Sequence, residues 1–345
     1  MTGERPVAIL RADAGPAAGA GHLVRSLALA EGFARAGAEA ILVTPELPPP
    51  LRRLVDGRPV RHVPVPGLEP SEPGPLAELA AGAAAVAVLD GYRLGPAAVA
   101  AARKAAPLVA ALADGTAPPG VDAVIDHELS ADPGRYPGIP LALLGPRYAL
   151  LREEFREPPP RPARDPDPPV VLVTLGGSAT ARLRDRVLAV LAAAGGPLRA
   201  RLVADPWTGS PAGDAPPPGI ELTVVPPRPT LADELARATV ALLAAGGTRL
   251  EAARCGCPML LGILADNQVA DAEAFAEAGA ARLLGWWDRL DPAAAGRALR
   301  ELLDDPAARR ELAGRAGALV DGRGAERAAQ ALLAAARRSA PGGMR

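Results

Sequence analysis

A chain of 345 residues, of which 49% are hydrophobic, is long enough to form two domains that each have a core. Its 38 basic and 39 acidic residues give a formal net charge of −1, which provides no general attraction to nucleic acid or an anionic membrane. We therefore expect neither a nucleic-acid partner nor a stable membrane association.

Cysteine usage and the N-terminus bear on the cellular compartment. Cys255 and Cys257 are too close in sequence for an unstrained disulfide, and there is no second pair, so we expect a reduced, cytoplasmic protein. The N-terminus lacks the features of a signal peptide, and no apolar run is as long as a membrane span. We expect a monomer or a weak oligomer.

The first half of the chain alternates short apolar runs with amphipathic runs. This alternation is typical of a parallel sheet with helices on both faces. The predicted strands are residues 6–10, 39–44, 60–65, 85–90, 108–113 and 121–126, and the predicted helices are residues 23–36, 51–55, 76–85, 96–105 and 148–155.

A glycine-rich loop joins the first predicted strand to the first helix and ends at a histidine. Gly19 and Gly21 allow a close approach of the backbone to a ligand, and the N–H groups of a helix start favour an anion such as a diphosphate. Val24 stands where a dinucleotide-binding loop has its third glycine, so such a site is not predicted. His22 can exchange a proton near neutral pH, which makes it either a catalytic residue or a plain capping or surface residue.

Polar side chains follow several of the predicted strands. Ligands of open α/β sheets bind beyond the carboxyl ends of the strands, so these side chains are first candidates for a site. The alternative for each aspartate is that it starts a turn or caps a helix. The candidates are Asp13, Asp90, Tyr92, Asp114 and Asp126.

A proline-rich, charged segment at residues 157–169 divides the chain, and its composition predicts a stiff linker. The first lobe is expected at residues 1–156 and the second at residues 170–338. Because the second half repeats the strand–helix alternation, two α/β lobes with a central cleft are predicted. Its predicted strands are residues 170–175, 198–203, 220–225, 240–244 and 259–263, and its predicted helices are residues 181–194, 231–236, 249–255, 269–277, 292–303, 306–314 and 325–338.

A second constellation follows the predicted strand at residues 240–244. Gly247 and Thr248 offer backbone and hydroxyl donors to a phosphate at a helix start. Glu251 lies one turn further, where its carboxylate can accept both hydroxyls of a ribose; the alternative is an ordinary solvated helix residue. Asn267 and Gln268 supply amide groups after the next strand. Together these residues predict a nucleotide site in the second lobe.

Two resemblances follow from these motifs. Gly-Gly-Thr-x-x-Glu, then Gly-x-Pro and Asn-Gln, resembles the UDP-binding half of glycosyltransferase-B (GT-B) proteins, including the peptidoglycan N-acetylglucosaminyltransferase. The first half is similar to the UDP-sugar hydrolases of pseudaminic acid biosynthesis and to the spore-coat polysaccharide protein grouped with them. The blocks that carry this second resemblance are Arg11-x-Asp13, Gly19-x-Gly21-His22-x-x-Arg25, Asp90-x-Tyr92, Gly145-Pro146-x-Tyr148 and Leu175-Gly176-Gly177-Ser178.

The resemblance implies a GT-B fold with two Rossmann-like lobes and the substrate UDP-2,4-diacetamido-2,4,6-trideoxy-β-L-altropyranose. It implies that water, activated by His22, attacks the anomeric carbon and that UDP leaves, with no metal and no cofactor. Glu251 would hold the ribose, and Gly247 and Thr248 the diphosphate. The other residues assigned to substrate binding are Arg11, Asp13, Gly19, Gly21, Arg25, Tyr92, Gly176, Gly177, Ser178, Asn267 and Gln268.

Two other functions remain open at this point. One is a true glycosyltransferase of the same fold, which passes the sugar from a UDP-sugar to an acceptor other than water. The other is a UDP-sugar binding protein without activity, against which the joint presence of Asp13, His22 and Asn267 argues. The chain departs from the hydrolase pattern in two places. Gly91 stands where that family often has a histidine, and residues 127–130 stand where it tends to place asparagines.

Overall fold

The computed structural model describes residues 5–15, 18–176, 181–204, 216–226, 228 and 230–339. The chain divides into two compact units. The first unit combines Met1–Arg156 with Gly322–Arg345, and the second unit is Glu157–Asp321.

The described part of the first unit contains seven parallel strands: β1 (Val7–Ala12), β2 (Glu39–Pro45), β3 (Arg61–Val65), β4 (Ala84–Asp90), β5 (Leu108–Leu112), β6 (Ala123–Asp126) and β7 (Leu141–Leu144). They take the order β3-β2-β1-β4-β5-β6-β7. Apolar side chains on both faces account for the central position of β1, whose Ala8, Ile9 and Leu10 have no exposed surface. The strand order reverses between β1 and β4, which is where ligands bind in such sheets.

Four helices connect these strands: α1 (Gly21–Arg35), α2 (Pro49–Val55), α3 (Leu76–Ala80) and α4 (Pro96–Ala105). A proline in the first turn of α2 and of α4 favours the start of each helix, because its ring already has a helical φ and no N–H is lost there. α3 ends earlier than predicted, since Ala81 adopts a left-handed conformation with φ 47°.

The second unit contains the parallel strands β8 (Val170–Thr174), β9 (Leu198–Val203), β10 (Ile220–Val225), β11 (Val240–Ala244), β12 (Met259–Ile263) and β13 (Arg282–Trp286). Their order is β10-β9-β8-β11-β12-β13, so this sheet reverses between β8 and β11. Its helices are α5 (Ala181–Ala194), α6 (Ala232–Arg237), α7 (Thr248–Arg254), α8 (Val269–Glu277), α9 (Pro292–Asp304) and α10 (Pro306–Leu319). Strand residue Val171 packs with Leu191 of α5 and Leu299 of α9 in the core.

The C-terminal helix α11 (Gly324–Ser339) belongs to the first unit, which corrects the expectation that the second lobe extends to residue 338. α11 packs against α1, and the two backbones lie close together at Gly32. A Cβ atom at Gly32 would overlap the carbonyl group of Ala325, so only glycine permits this approach. The apolar face of α11 therefore completes the core of the first unit. The position of α11 at the end of the sequence did not indicate that it packs in this unit.

We expect Gly32→Ala to lower the free energy of unfolding by roughly 1–3 kcal/mol, because the added methyl group forces two helix backbones apart. Gly314→Ala is the matched control, since a Cβ atom at Gly314 on α10 would meet no atom of the described residues within 4 Å. The control is expected to be neutral or to stabilise by about 0.5–1 kcal/mol. Urea denaturation followed by circular dichroism measures both, and equal stability of the two variants would contradict the close approach.

The predicted fold class, two Rossmann-like lobes with parallel sheets flanked by helices, is confirmed. Two strands were missed, β7 and β13, and both lie at a sheet edge where burial is incomplete. The predicted helix at residues 148–155 is wrong, because the segment forms two short 3-10 turns, Pro146–Tyr148 and Glu153–Phe155. None of the helices in the described part of the chain has the length and apolar composition that a bilayer span requires.

Candidate active site

A buried histidine–aspartate pair lies where the first sheet reverses its strand order. His22 is in the first turn of α1, which follows β1, and Asp90 is the last residue of β4. His22 Nδ1 lies 2.6 Å from Asp90 Oδ1, and the two side chains are 3% and 0% exposed. His22 Nε2 is also buried and has no hydrogen-bond partner among the described residues. With Nδ1–H donating to the carboxylate, the Nε2 lone pair is left to accept a proton.

Asp90 is held by two further residues of α1. Arg25 donates from Nε to both carboxylate oxygens, at 3.1 and 3.0 Å, and from Nη2 at 2.7 Å. Ser26 Oγ donates to the second oxygen at 2.8 Å. Burial opposes the ionisation of Asp90, but Arg25 and His22 outweigh it and hold the pKa of this carboxyl well below its ordinary value. Asp90 is therefore a carboxylate that can stabilise a protonated imidazole.

Arg25 joins this pair to a second carboxylate. Its Nη1 donates to Oδ1 of Asp114, which lies two residues beyond β5. Burial opposes the ionisation of Asp114 as well, but Arg25 outweighs it and lowers the pKa of the carboxyl. The guanidinium, only 13% exposed, is thus shared between two carboxylates from neighbouring strands. Such a bridge fixes the orientation of Asp90 and, through it, of the His22 ring.

Tyr92 borders the histidine at the surface. The two rings lie edge to face, with centroids 4.4 Å apart and an interplanar angle of 74°. Tyr92 is 65% exposed, so its ring presents an aromatic surface beside the buried imidazole. Loss of hydration at the hydroxyl and the nearby Asp114 carboxylate raise the pKa of Tyr92 to about 12. The phenol consequently stays protonated at neutral pH.

The predicted residues Arg11 and Asp13 pair with each other at the end of β1. Arg11 Nη2 lies 2.8 Å from Asp13 Oδ1, and the Arg11 side chain also donates to two backbone carbonyls of the loop before α3, at 3.0 and 3.1 Å. Burial raises the pKa of Asp13 although Arg11 opposes the shift. A Cβ atom at Gly91 would lie 2.5 Å from Asp13 Oδ2, which explains the glycine at this position. The Asp13 carboxylate fills the space that a side chain at Gly91 would need.

The glycines of the first loop have separate structural roles. Gly19 has a φ of 72°, in the left-handed region that favours glycine, and its N–H donates to the carbonyl of Gly15 at 2.7 Å. Gly21 is the first residue of α1 and is exposed. The turn thus delivers the start of α1, with His22, to the end of β1.

In the second unit, predicted nucleotide-binding residues follow three neighbouring strands. Gly176 comes after β8 with a φ of 69°. After β11, Gly247 precedes α7 and Thr248 is its first residue, and Gln268 follows β12. Glu251 is 6% exposed, which rules out an ordinary solvated helix residue. Gly177 and Ser178 lie outside the described residues.

Side-chain contacts fix the turn before α7. Gln268 Oε1 accepts a hydrogen bond from Leu264 N at 2.9 Å, and its Nε2 lies 3.8 Å from where a Cβ of Gly246 would be. Arg249 is buried; its Nε lies 2.5 Å from Asp271 Oδ2 and its Nη1 donates to Ala245 O at 3.1 Å. Asn267, in the same 3-10 turn as Gln268, is exposed.

Sequence reasoning named His22 and Arg25 but did not include Ser26, and it left Asp90 and Asp114 among several strand-end aspartates. The signal for Ser26 was available, because residues 22, 25 and 26 share one face of a helix. Asp126, another first candidate, is not in the cluster and accepts the Tyr136 hydroxyl at 2.6 Å. Within the described ranges, no group of three His, Cys, Asp or Glu side chains is placed to hold a metal ion.

No protein-family model and no curated protein match the chain. Solved structures do match it. The glycotransferase of kitacinnamycin is 19% identical over 98% of this chain and 100% of its own, with a TM-score of 0.65. MurG of Acinetobacter baumannii is 16% identical over 97% of this chain and 100% of its own, with a TM-score of 0.61. LpCGTa in complex with UDP is 16% identical over 96% of this chain and 99% of its own, with a TM-score of 0.61. At these identities the similarity shows the fold, which is that of GT-B glycosyltransferases.

Proposed function

We propose that this protein is a glycosyltransferase that uses a nucleotide-sugar donor, with His22 as the general base. The observation that carries the proposal is the His22–Asp90 pair, because it leaves a buried Nε2 available at the reversal point of the first sheet. The fold supports the same conclusion, since one of the similar solved structures is named as the glycotransferase of kitacinnamycin. UDP is the nucleotide bound in another similar structure, that of LpCGTa.

The chemical step assigns a role to each member of the cluster. His22 Nε2 takes the proton from the attacking hydroxyl, and the hydroxyl oxygen forms a bond to the anomeric carbon. The bond between that carbon and the diphosphate oxygen breaks, and its electron pair leaves with the nucleoside diphosphate. Asp90 stabilises the imidazolium that forms, while Arg25 and Ser26 keep the carboxylate in place. Tyr92 offers its exposed ring to the apolar face of the sugar.

The second unit supplies the groups for the nucleotide in this proposal. Backbone N–H groups at Gly176, Gly247 and Thr248 bind the diphosphate and stabilise the charge that develops on it as it leaves. The carboxylate of Glu251 accepts the ribose hydroxyls. Gln268 and Asn267 act as amide donors toward the donor substrate.

Hydrolysis is the second candidate, and a specific observation favours it. The blocks that resemble the UDP-sugar hydrolases, with His22, Arg25, Asp90 and Tyr92, meet in a single cluster of hydrogen bonds and ring contacts. In this case water is the nucleophile and the substrate is UDP-2,4-diacetamido-2,4,6-trideoxy-β-L-altropyranose or a related UDP-sugar. The same base and leaving group serve both reactions.

One experiment separates the candidates. The purified protein is incubated in ¹⁸O-water with a panel of UDP- and dTDP-sugars, with and without alcohol acceptors, and release of nucleoside diphosphate is followed. We expect release that depends on an acceptor and produces a glycoside. Release without an acceptor, with ¹⁸O on the sugar, assigns the hydrolase instead. Label on the phosphate, or binding of the sugar nucleotide without any turnover, would overturn the role of His22 in both.

A further inference from the structure

One face of the second sheet carries charged side chains at positions where a helix-covered sheet is normally apolar. Along β9, Leu198, Ala200 and Leu202 point into the core, while Arg199 and Arg201 alternate with them on the other face. Arg199 pairs in register with Glu221 of β10, and Arg201 with Thr223. This polar face is therefore not built for packing against an apolar partner.

These side chains line a cavity of about 420 Å³ together with α6 and residues 162–166. Within the second unit, residues 161–165 are held near α6 and α10. Arg161 donates to the carbonyls of Leu235 and Ala238 at 3.1 and 2.7 Å, and Asp165 pairs with Arg309 at 2.7 Å. The cavity lies within the size range of small-molecule sites.

The charge balance of the cavity is positive. Four arginines line it, Arg164, Arg199, Arg201 and Arg237, against two glutamates. Glu234 contacts Arg201 at 2.5 and 2.7 Å and Arg228 at 3.2 Å, and hydrogen bonding to Arg201 lowers the pKa of the glutamate despite its burial.

The remaining arginines keep donors available. Glu221 meets Arg199 through a single contact of 3.4 Å and is 71% exposed. Among the described residues, Arg164 and Arg237 form no hydrogen bond and no ion pair, although the charge of Arg237 contributes to the lowered pKa of Glu234. Within this part of the chain, the two guanidinium groups therefore keep planar, fork-shaped sets of donors without a hydrogen-bond acceptor.

The cavity is separate from the predicted nucleotide residues of the same unit. Val170 is the first residue of β8, and Arg199 and Glu221 are the second residues of β9 and β10, so the cavity lies toward the amino-terminal ends of these strands. Gly176 and Gly247 follow the carboxyl ends of β8 and β11. A ligand in the cavity therefore does not use the groups that the proposed function assigns to the donor.

We propose that this arginine-lined cavity is a second binding site, for a small phosphorylated ligand. Guanidinium groups match phosphate oxygens in pairs, and a net positive cavity with donors on two walls selects an oxyanion over a neutral sugar. Arg164 contributes from residues 162–166 and Arg237 from α6, so the ligand bridges the two walls, while Thr223 adds a hydroxyl donor from β10.

Inorganic pyrophosphate is the probe, and isothermal titration calorimetry at low salt is the measurement. We expect saturable binding to the full-length protein, weakened about tenfold or more in the double variant Arg164→Gln/Arg237→Gln, because two charge-assisted contacts are lost. Glu221→Gln removes a negative charge from the rim and is expected to tighten binding severalfold. The three substituted residues, Arg164, Glu221 and Arg237, are exposed, and only Arg237 lies in a helix. We therefore expect each variant to fold, and circular dichroism checks this.

Two control variants locate the binding. Arg310→Gln changes an exposed arginine of α10 and should not alter pyrophosphate affinity. Thr248→Val changes the predicted nucleotide site and reports any pyrophosphate that binds there instead of in the cavity. Absence of saturable binding at millimolar pyrophosphate, or equal affinity in the double variant and in Arg310→Gln, overturns the proposal. Loss of binding in Thr248→Val alone also overturns it, because the probe would then occupy the nucleotide site. None of these outcomes depends on the reaction that the protein catalyses.

Discussion

His22→Ala is expected to reduce the release of nucleoside diphosphate by about 10²- to 10⁴-fold, the usual contribution of a positioned general base. The reason is geometric, since His22 Nε2 is the basic atom that Asp90 orients through the other ring nitrogen at 2.6 Å. Asp90 keeps Arg25 and Ser26 as donors in the variant, so the fold should be retained. The assay follows product formation with the nucleotide-sugar identified from the panel.

The matched control is His62→Ala. His62 lies on β3 of the same sheet, where its Nε2 is 2.9 Å from Thr44 Oγ1, away from the cluster. This variant should keep the turnover of the parent protein. If His22→Ala turns over as fast as His62→Ala, the assignment of the base fails, whichever nucleophile is used.

Asp90→Ala is expected to lower the free energy of unfolding by about 3–5 kcal/mol, because it leaves buried donors without their carboxylate. His22, Arg25 and Ser26 all donate to Asp90, which has no exposed surface. Asp304→Ala is the control, since Asp304 pairs with Arg300 on the surface of α9 and is 66% exposed; its effect should stay within about 0.5 kcal/mol. Urea denaturation of both variants measures the difference, and similar values would contradict the central role of Asp90.

The pH dependence of this effect has a defined sign. The pKa of Asp90 in the folded protein lies below its unfolded value, so its charge stabilises the fold fully above about pH 4. The contribution decreases as the pH falls further toward the folded pKa. Asp90→Asn keeps the size of the side chain but not the charge, so its stability deficit should be largest near neutral pH and shrink in acid. A deficit that is constant from neutral to acidic pH would show that charge is not involved.

Local sequence signals were sufficient for most of the fold. Helices at residues 96–105 and 181–194 and strands at residues 198–203, 220–225 and 240–244 were predicted with the bounds that the structure has. In most of these segments buried apolar side chains recur with the period of the element, as they do along β9, so the apolar pattern carries the information. β7 and β13 gave weaker signals, because β7 has only four residues and β13 contains Arg282 and Gly285, and most residues of both edge strands are only partly buried. α11 was predicted as a helix, but its packing partner depends on contacts with α1 that are remote in sequence.

Some features of the candidate site were also predictable from local sequence, whereas others depend on the tertiary structure. The Gly-x-Gly-His loop and the Gly-Gly-Thr turn could be recognised in the sequence, because the residues that define each of them are close together in the chain. The conformation of a glycine and the start of a helix both depend on such neighbouring residues. Asp90, Asp114 and Asp126 looked alike in the sequence, as aspartates at strand ends. The strand order β1-β4-β5 places Asp90 and Asp114 beside Arg25. Asp126, at the end of the next strand, β6, instead accepts a hydrogen bond from the Tyr136 hydroxyl.

The sequence by itself thus determined the two α/β halves and the positions of the histidine loop and the second glycine turn, because each depends on residues close together in the chain. The tertiary structure alone decided which carboxylate pairs with His22 and which unit receives α11. It also decided that Arg164 and Arg237 line one cavity with β9 and β10. These outcomes require pairing between segments that are distant along the chain, which is fixed by sheet order and close packing and not by any local pattern.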